Sequence, residues 1–176
     1  MQAAHVVVGL HELNGRWPGV TVNAGVINGG TRANVVPEHC DLRVDVRAPS
    51  TESFDAALAE VRRVATTSAV PDVDVDVLIR TGFAPMEKTE ATGRLVDQAV
   101  AIAAELGFEV KDAATGGASD ANVVGGLGVP VLDGMGPIGG ADHAPGEWLD
   151  LDSVVPRVTM LAAMIASARV TPTPSR

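Results

Sequence analysis

The sequence predicts an α/β protein of two domains, residues 1–85 and residues 86–176. In the first part, alternating apolar and polar runs flank a segment with helical spacing, which is typical of a sheet covered by helices. In the second part, segments with helical and strand-like patterns alternate along the chain, as in an α/β sheet. The chain has 176 residues, 46% of them hydrophobic, which is enough apolar material to bury a core.

The first domain is predicted to have the order helix, strand, strand, helix, strand. Its elements are a helix at 3–13, strands at 20–27 and 35–47, a helix at 54–64 and a strand at 73–77. This order lacks only a leading strand to be the split βαβ pattern of a ferredoxin-like sandwich. Because the opening helix has no capping residue and no preceding strand, we expect the chain to begin within a domain. We also expect the sheet to lack one strand and to leave an open edge.

The strand predicted at 35–47 has one apolar face and one charged face. Its apolar positions are Leu42, Val44 and Val46, and its charged positions are Asp41, Arg43, Asp45 and Arg47. The apolar face is predicted to meet the core, while the charged face meets solvent or a cleft. Cys40, the single cysteine, cannot form an internal disulfide and is predicted to be a buried, inert thiol.

The second domain is predicted to contain three helices and two short strands. They are a helix at 95–106 stopped by Gly107, a strand at 108–110, a short helix near Ala121, a strand at 129–132, and a last helix capped by Asp152 with Pro156 in its first turn. Residues 171–176 are rich in proline and polar residues, and we expect them to be disordered.

Composition argues against several classes of partner. Thirteen basic residues against 22 acidic ones give a net charge of −9. Since the chain has neither a basic run nor aromatic platforms, we expect no binding to nucleic acid or to an anionic membrane. The apolar run at the start is too short to span a bilayer. With one cysteine and no targeting signature, the sequence predicts a cytoplasmic protein with a small-molecule partner.

His143 lies in a glycine-rich loop after an apolar strand, where a fold presents an imidazole to a cleft. Asp142 is adjacent and Glu147 follows four residues later, so His143 is a candidate metal ligand. Zinc, however, takes three or four protein ligands. The other histidines, predicted on the opening helix and in a strand, do not join it, and a single loop histidine is more often only a surface residue.

A second candidate is the glycine pair Gly116 and Gly117. Their backbone N–H groups could bind an anionic substrate group or a developing oxyanion. The competing interpretation is structural, with Asp120 and Asn122 capping the short helix that follows.

Asn34 and Arg47 form a third candidate set. Arg47 could bind a carboxylate with its fork of donors and Asn34 could donate from its amide. Alternatively, Arg47 is a solvated arginine screened by Asp45, and Asn34 is a turn residue.

The segment 134–139 fits the dinucleotide-binding pattern G-x-G-x-x-G. That pattern requires a helix directly after the glycines, and none is predicted before about residue 153. A helix starting near residue 139 would support this third interpretation.

Four segments together resemble the zinc exopeptidase and amidohydrolase family, which includes carboxypeptidase G, acetylornithine deacetylase, succinyl-diaminopimelate desuccinylase and aminoacylase. They are residues 28–37 (NGGTRANVVP), 45–47 (DVR), 115–122 (TGGASDAN) and 139–148 (GGADHAPGEW). The resemblance follows nearly the whole chain in order.

The resemblance implies a fold and a set of roles. Residues 1–85 would be a ferredoxin-like lid that also dimerises, and residues 86–176 the C-terminal part of an α/β catalytic domain that holds two zinc ions. His143 matches the last metal ligand. Asn34 and Arg47 match lid residues that hold the substrate carboxylate and the tetrahedral intermediate, and Gly116 and Gly117 match a loop that lines the substrate site.

The activity that the resemblance implies is zinc-dependent hydrolysis of amide bonds in peptides or N-acyl amino acids, by a homodimer. The family's other metal ligands and its glutamate general base match nothing in this chain, so we expect no catalytic residue here and no activity from the chain by itself. The alternative is a non-catalytic dimerisation or binding module of the same fold. The sequence does not specify which substrate is cleaved.

Overall fold

The computed structural model describes residues 1–80 and 82–168. They divide into two compact units. Unit 1 consists of Met1–Glu87 with Gly125–Leu127, and unit 2 consists of Lys88–Val124 and the chain from Gly128 onward. The tail at 171–176, predicted to be disordered, lies outside the described residues.

Unit 1 contains an antiparallel hairpin and two helices. The elements are α1 (Gln2–His11), β1 (Thr21–Gly29), β2 (Cys40–Arg47) and α2 (Thr51–Thr66). The hairpin register runs from Thr21 opposite Arg47 to Gly29 opposite Cys40, with a bulge between Ala24 and Val26. The predicted helix–strand–strand–helix order is therefore confirmed.

The second strand is shorter than predicted, because residues 35–39 form the loop before β2. Pro37 lies within this stretch and has no N–H to donate to a strand ladder, so strand pairing begins only after it. Two further predictions, which depended on the earlier start of this strand, are wrong. His39 precedes the strand instead of lying in it, and Cys40 is exposed instead of buried.

The core of unit 1 lies on one face of the hairpin. The buried cluster consists of Val6, Leu10, Leu13, Val20, Val22, Ala57, Val61 and Ala65. Leu42, Val44 and Val46 of β2 pack against it, while the charged residues between them are exposed. The predicted division of β2 into an apolar and a charged face is thus confirmed, since period-2 alternation suits a sheet covered on one side.

Two side-chain amides hold the ends of these elements. The buried Gln2 donates from Nε2 to the Thr67 carbonyl (2.8 Å) and accepts the N–H groups of Ala69 and Val70 at 2.9 and 3.1 Å. Asn14 pairs with both backbone groups of Val22, at 2.9 Å each, as a neighbouring strand would. These bonds satisfy backbone groups that the helices and the hairpin leave unpaired.

The strand predicted at 73–77 is not formed as a paired strand. Within residues 1–80 and 82–168, β2 pairs with β1 only, and residues 73–80 belong to no strand. Val75 and Val77 still pack against the core while the residues beside them are exposed, so the alternation itself is present. A strand requires a ladder partner as well as an alternating pattern, and the described residues supply none.

Unit 2 contains three helices and a very short hairpin. Its elements are α3 (Glu90–Glu105), α4 (Asp120–Gly126), β3 (Gly139–Gly140), β4 (Trp148–Leu149), a 3₁₀ turn (Leu151–Ser153) and α5 (Val154–Ser167). Ala99, Ala103 and Met160 are buried where α3 packs against α5. The three predicted helices are confirmed, with α3 beginning earlier than predicted at the cap Thr89.

Other predictions for unit 2 are wrong. Residues 108–110 and 129–132, predicted as strands, are assigned to no strand in the described structure. Asp152 does not cap the last helix, because the N-cap of α5 is Ser153, which makes no side-chain cap bond. Asp150 instead caps the 3₁₀ turn, where its Oδ1 accepts the Asp152 N–H at 3.0 Å. Pro156 does lie in the first turn of α5, where its missing N–H costs no helical hydrogen bond.

No helix within residues 1–80 and 82–168 is long and apolar enough to cross a membrane.

Candidate functional site

His143 lies in the connection between β3 and β4 with a left-handed backbone. Its φ is 63°, and that of Ala141 is 59°. Residues other than glycine rarely adopt this left-handed region of φ and ψ, and those that do concentrate at functional loops. Two turns carry the connection, in which Ala144 N donates to Ala141 O and Glu147 N donates to Ala144 O, each at 3.0 Å. The loop therefore holds an exposed imidazole in an uncommon conformation.

The base of this loop is packed too closely for any residue but glycine. A Cβ at Gly139 would lie 2.8 Å from the Trp148 carbonyl oxygen, and one at Gly140 would lie 2.9 Å from the Trp148 indole nitrogen. Because the first contact is with backbone, a side chain there could not be accommodated by a rotamer change. The glycines let the two strands and the indole approach, as the sequence pattern predicted for this loop.

Asp142 and Glu147 line an open cleft beside the hairpin. The cleft is about 420 Å³ in volume, and its other lining residues are Pro137, Gly139, Trp148 and Leu149. The two carboxylates give it an acidic side and the half-exposed indole an apolar one. Such a surface suits a cation or a small polar ligand more than an anion.

The described residues do not complete a zinc site. A zinc ion takes three or four protein ligands, and residues 1–80 and 82–168 bring no three His, Cys, Asp or Glu side chains close enough to hold a metal. His5 and His11 lie on α1 and His39 lies before β2, all of them in unit 1. His143 can therefore be at most one ligand of a site whose other donors come from elsewhere.

Gly116 and Gly117 lie, exposed, just before α4. The structural interpretation of this segment is partly realised, because Asn122 Oδ1 accepts the Ser119 N–H (2.9 Å) and Ser119 Oγ accepts the Ala121 N–H (3.1 Å). The side chain that caps α4 is therefore that of Ser119 and not that of Asp120. The proposed binding role of the two glycines stays a prediction.

Asn34 and Arg47 both belong to unit 1. Asn34 is exposed in the loop between β1 and β2, and Arg47 ends β2. Arg47 Nε donates to Asp45 Oδ2 at 2.7 Å, with both side chains more than half exposed. The screening by Asp45 that the sequence suggested is present. Binding of a carboxylate by Arg47 stays a prediction.

The dinucleotide interpretation is wrong. The glycines at 134–139 lead into β3 instead of a helix, and the next helix begins only at Val154. A pyrophosphate would find no helix N-terminus here, which that motif requires.

The residues whose pKa values are shifted form ion pairs or accept a hydrogen bond at a helix start, and they lie outside these loops. The bond between Lys88 Nζ and Asp112 Oδ2 (2.6 Å) raises the pKa of Lys88 and lowers the pKa of Asp112. The hydrogen bond that Glu87 accepts from the Thr51 N–H lowers the pKa of Glu87. Both effects arise on exposed side chains.

The residues that hold the candidate loops were not among those predicted from the sequence. Ser153, the N-cap of α5, and Arg157 on α5 bond to the backbone before the His143 hairpin, and Asp133 accepts a hydrogen bond from Ser119. The sequence offered one hint of their joint role, because Ser153 and Arg157 are four residues apart, a spacing that places side chains on the same side of a helix. Their main partners are backbone groups, which a sequence pattern does not display.

Comparison with known proteins supports the resemblance. Residues 1–73 match the family described as the peptidase dimerisation domain. The chain is 28% identical to carboxypeptidase G2 of Pseudomonas sp. (strain RS-16) over 167 residues, 94% of this chain and 40% of that protein. It is 26% identical to the protein YqjE of Bacillus subtilis (strain 168) over 156 residues, 84% of this chain and 40% of that protein. Residues 1–73 thus resemble an M20 peptidase dimerisation domain, and the similarity to carboxypeptidase G2 continues beyond them.

A solved structure shows the same fold. The aminopeptidase PepT from Bacillus cereus ATCC 10987 superposes with a TM-score of 0.71 and 24% identity, covering 93% of this chain and 43% of that one. The predicted fold class, a ferredoxin-like dimerisation domain with part of an α/β catalytic domain, is thereby confirmed. The chain spans about 40% of the length of the relatives it matches.

Proposed function

We propose that this chain is part of a zinc-dependent hydrolase that cleaves amide bonds of peptides or N-acyl amino acids. One observation carries the proposal, namely the similarity to carboxypeptidase G2 along 94% of this chain. The left-handed backbone of the glycine-based loop that exposes His143 supports it, because such conformations concentrate at functional sites.

In the proposed enzyme each candidate residue has one role. His143 is a ligand of one of two zinc ions, and Arg47 binds the substrate carboxylate through its planar fork of donors. Asn34 donates from its amide to the tetrahedral intermediate, and the backbone N–H groups of Gly116 and Gly117 line the substrate site. The general base and the other metal ligands are proposed to come from polypeptide that this chain does not contain.

The proposal predicts that the chain by itself is inactive. Incubated with zinc and a set of peptides and N-acyl amino acids, it should show no metal-dependent hydrolysis, since one histidine is too few ligands to retain the ion. Hydrolysis that requires zinc and disappears in His143→Ala would contradict this part of the proposal.

Activity should return when the absent portion is supplied. We suggest a chimaera in which the portion of carboxypeptidase G2 not covered by this chain is joined to it at the aligned boundaries. Zinc-dependent amidase activity is expected, and His143→Ala should abolish it. His39→Ala is the matched control, because His39 is an exposed histidine of unit 1 outside the proposed site.

A second function is favoured by the match of residues 1–73 to the peptidase dimerisation domain. In this alternative the chain is a non-catalytic dimerisation or binding module. A folded chimaera that binds zinc without hydrolysing any of the substrates would support the module and exclude the hydrolase.

Both functions include a homodimer formed through unit 1, because the dimerisation domain match lies there. Sedimentation equilibrium should give twice the chain mass. Residues 88–176 prepared as a separate chain should not dimerise, and a monomeric full chain would contradict the proposal.

We further propose a cytoplasmic location. The single cysteine, Cys40, is free and exposed, which suits a reducing compartment. Cell fractionation of the native protein tests this, and recovery from an oxidising compartment would contradict it.

A further inference from the structure

A single arginine on α5 bonds to the turn that precedes the His143 hairpin. Arg157 Nε donates to the Gly136 carbonyl at 2.8 Å, and its Nη2 donates to the Gly134 carbonyl. The planar guanidinium presents donors in a fixed fork, so two bonds to neighbouring carbonyls fix the turn in direction as well as in position.

Gly134 and Gly136 are exposed on either side of the half-buried Met135. Gly134 has a left-handed φ of 64°, and a methyl group added at Gly134 or Gly136 would meet no described atom within 4 Å. Because glycine loses more conformational freedom on folding than any other residue, ordering the backbone at these two positions is costly. The guanidinium bonds restrain the backbone carbonyls of both glycines.

The restraint continues from the turn to the hairpin. Ile138 N donates to Ser153 Oγ at 2.9 Å, and Ile138 O accepts from Asp150 N at 2.8 Å. Gly139 and Gly140 then pair with β4, and the left-handed residues of the loop follow at once. Because the N-cap Ser153 lies about one helical turn before Arg157, the N-terminal end of α5 bonds to the path into the loop at two places.

The same turn is tied to the glycine-rich loop on its other side. Asp133, which directly precedes Gly134, accepts a hydrogen bond from Ser119 Oγ at 2.8 Å. Ser119 in turn caps α4, just after Gly116 and Gly117. The turn at 133–136 is thus a common support for the two candidate loops of unit 2.

We propose that Arg157 is a positioning residue, which sets the place and direction of the His143 imidazole by holding the Gly134–Gly136 turn from α5. Its importance for catalysis rests on the proposed function, since it matters there only if His143 is a metal ligand. The positioning itself is a property of this chain and is measurable without catalysis.

The test uses carbon-13 label at the histidine ring and NMR of the full chain. Of the four histidines, His143 lies in unit 2, while His5, His11 and His39 lie in unit 1 and serve as internal references. In Arg157→Ala, the His143 cross-peak should be lost from its wild-type position, with the three reference peaks unmoved. Arg157→Lys, which keeps the cation without the fork, should return the peak only part of the way.

Arg94→Ala is the matched control. Arg94 lies on α3 in the same unit and pairs with Glu90 at 2.6 Å on an exposed surface, so its loss should leave the His143 peak unchanged. A purely structural role for Arg157 predicts a lower melting temperature with the His143 peak in place, and this result would overturn the proposal. If Arg157→Ala does not fold, Arg157→Gln replaces it, and an unmoved peak in that folded variant overturns the proposal equally.

The chimaera separates this inference from the proposed function. If it is inactive with Arg157 intact while the peak still moves in Arg157→Ala, the hydrolase proposal fails and the positioning role stands. If it is active and Arg157→Ala changes neither the peak nor kcat, the positioning role fails and the hydrolase stands.

Discussion

Unit 1 and unit 2 differ in how much apolar surface they bury. Unit 1 has a cluster of buried residues beneath a hairpin with strands of 9 and 8 residues. Among the described residues of unit 2, the buried apolar ones are Ala99, Ala103 and Met160, and the strands have 2 residues each. Large apolar side chains such as Val129 and Trp148 are about half exposed there.

The difference shows what a strand-like sequence needs in order to form a strand. The hairpin at β1 and β2 forms because each strand finds its partner a short loop away. Residues 108–110 and 129–132 carry comparable apolar runs but have no ladder partner among the described residues.

The largest expected contrast concerns one leucine from each unit. Leu10 is 1% exposed in the core of unit 1, whereas Leu151 is 75% exposed in unit 2. Leu10→Ala should lower the free energy of unfolding by about 2–5 kcal/mol through lost burial and a cavity. Leu151→Ala should change it by no more than about 0.5 kcal/mol. Urea denaturation monitored by circular dichroism measures both, and equal losses would break the comparison.

A smaller effect is expected at the edge of β1. Asn14→Ala removes two hydrogen bonds to the backbone of Val22 and should cost about 1–3 kcal/mol. Asn28→Ala is the control, since Asn28 lies exposed in the same strand. Hydrogen exchange should show lost protection at Val22 in the first variant. Unchanged exchange there would mean that Asn14 does not act as a partner of the strand.

Helix capping should be similar in the two units. Ser50 Oγ accepts the Ser53 N–H at 3.2 Å to cap α2, and Thr89 Oγ1 accepts the Thr92 N–H at 3.1 Å to cap α3. Replacing either residue with alanine should cost about 1 kcal/mol, because a cap acts through local backbone groups. Thermal unfolding of the two variants sharpens the comparison. A loss of stability in the Ser50 variant alone would show that the Thr89 cap does not stabilise α3.

The smallest effect is expected at the exposed pair Lys88–Asp112 in unit 2. The pKa of Asp112 is lowered from its ordinary value of 3.8, so its contribution is present above that pH and is lost as pH falls through the lowered pKa. The pKa of Lys88 is raised from 10.5, so its contribution is present below that pH and is lost as pH rises through the raised pKa.

Lys88→Met should therefore reduce the melting temperature slightly at neutral pH, and the difference from the wild type should shrink in acid and in high salt. Differential scanning calorimetry across pH measures this. A difference that persists below the lowered pKa of Asp112 would show that the pair is not its cause.

Local signals predicted much of the candidate site. The glycine-rich loop that carries His143 could be predicted, because close backbone approach and left-handed turns favour glycine, which is present at 139 and 140. The support from Arg157 could not be, since the guanidinium bonds to carbonyls 21 and 23 residues away. The exposure of Cys40 was missed for a related reason, because Pro37 moved the start of the strand.

The sequence by itself determined the helices, the hairpin and the apolar face of β2, because capping, turn chemistry and residue periodicity act between neighbours in the chain. Only the tertiary structure decided which apolar segments became strands and which helix residues hold the His143 loop. Both outcomes depend on backbone groups brought together from distant parts of the chain. Every residue except proline carries the same backbone groups, so a side chain does not reveal their partners.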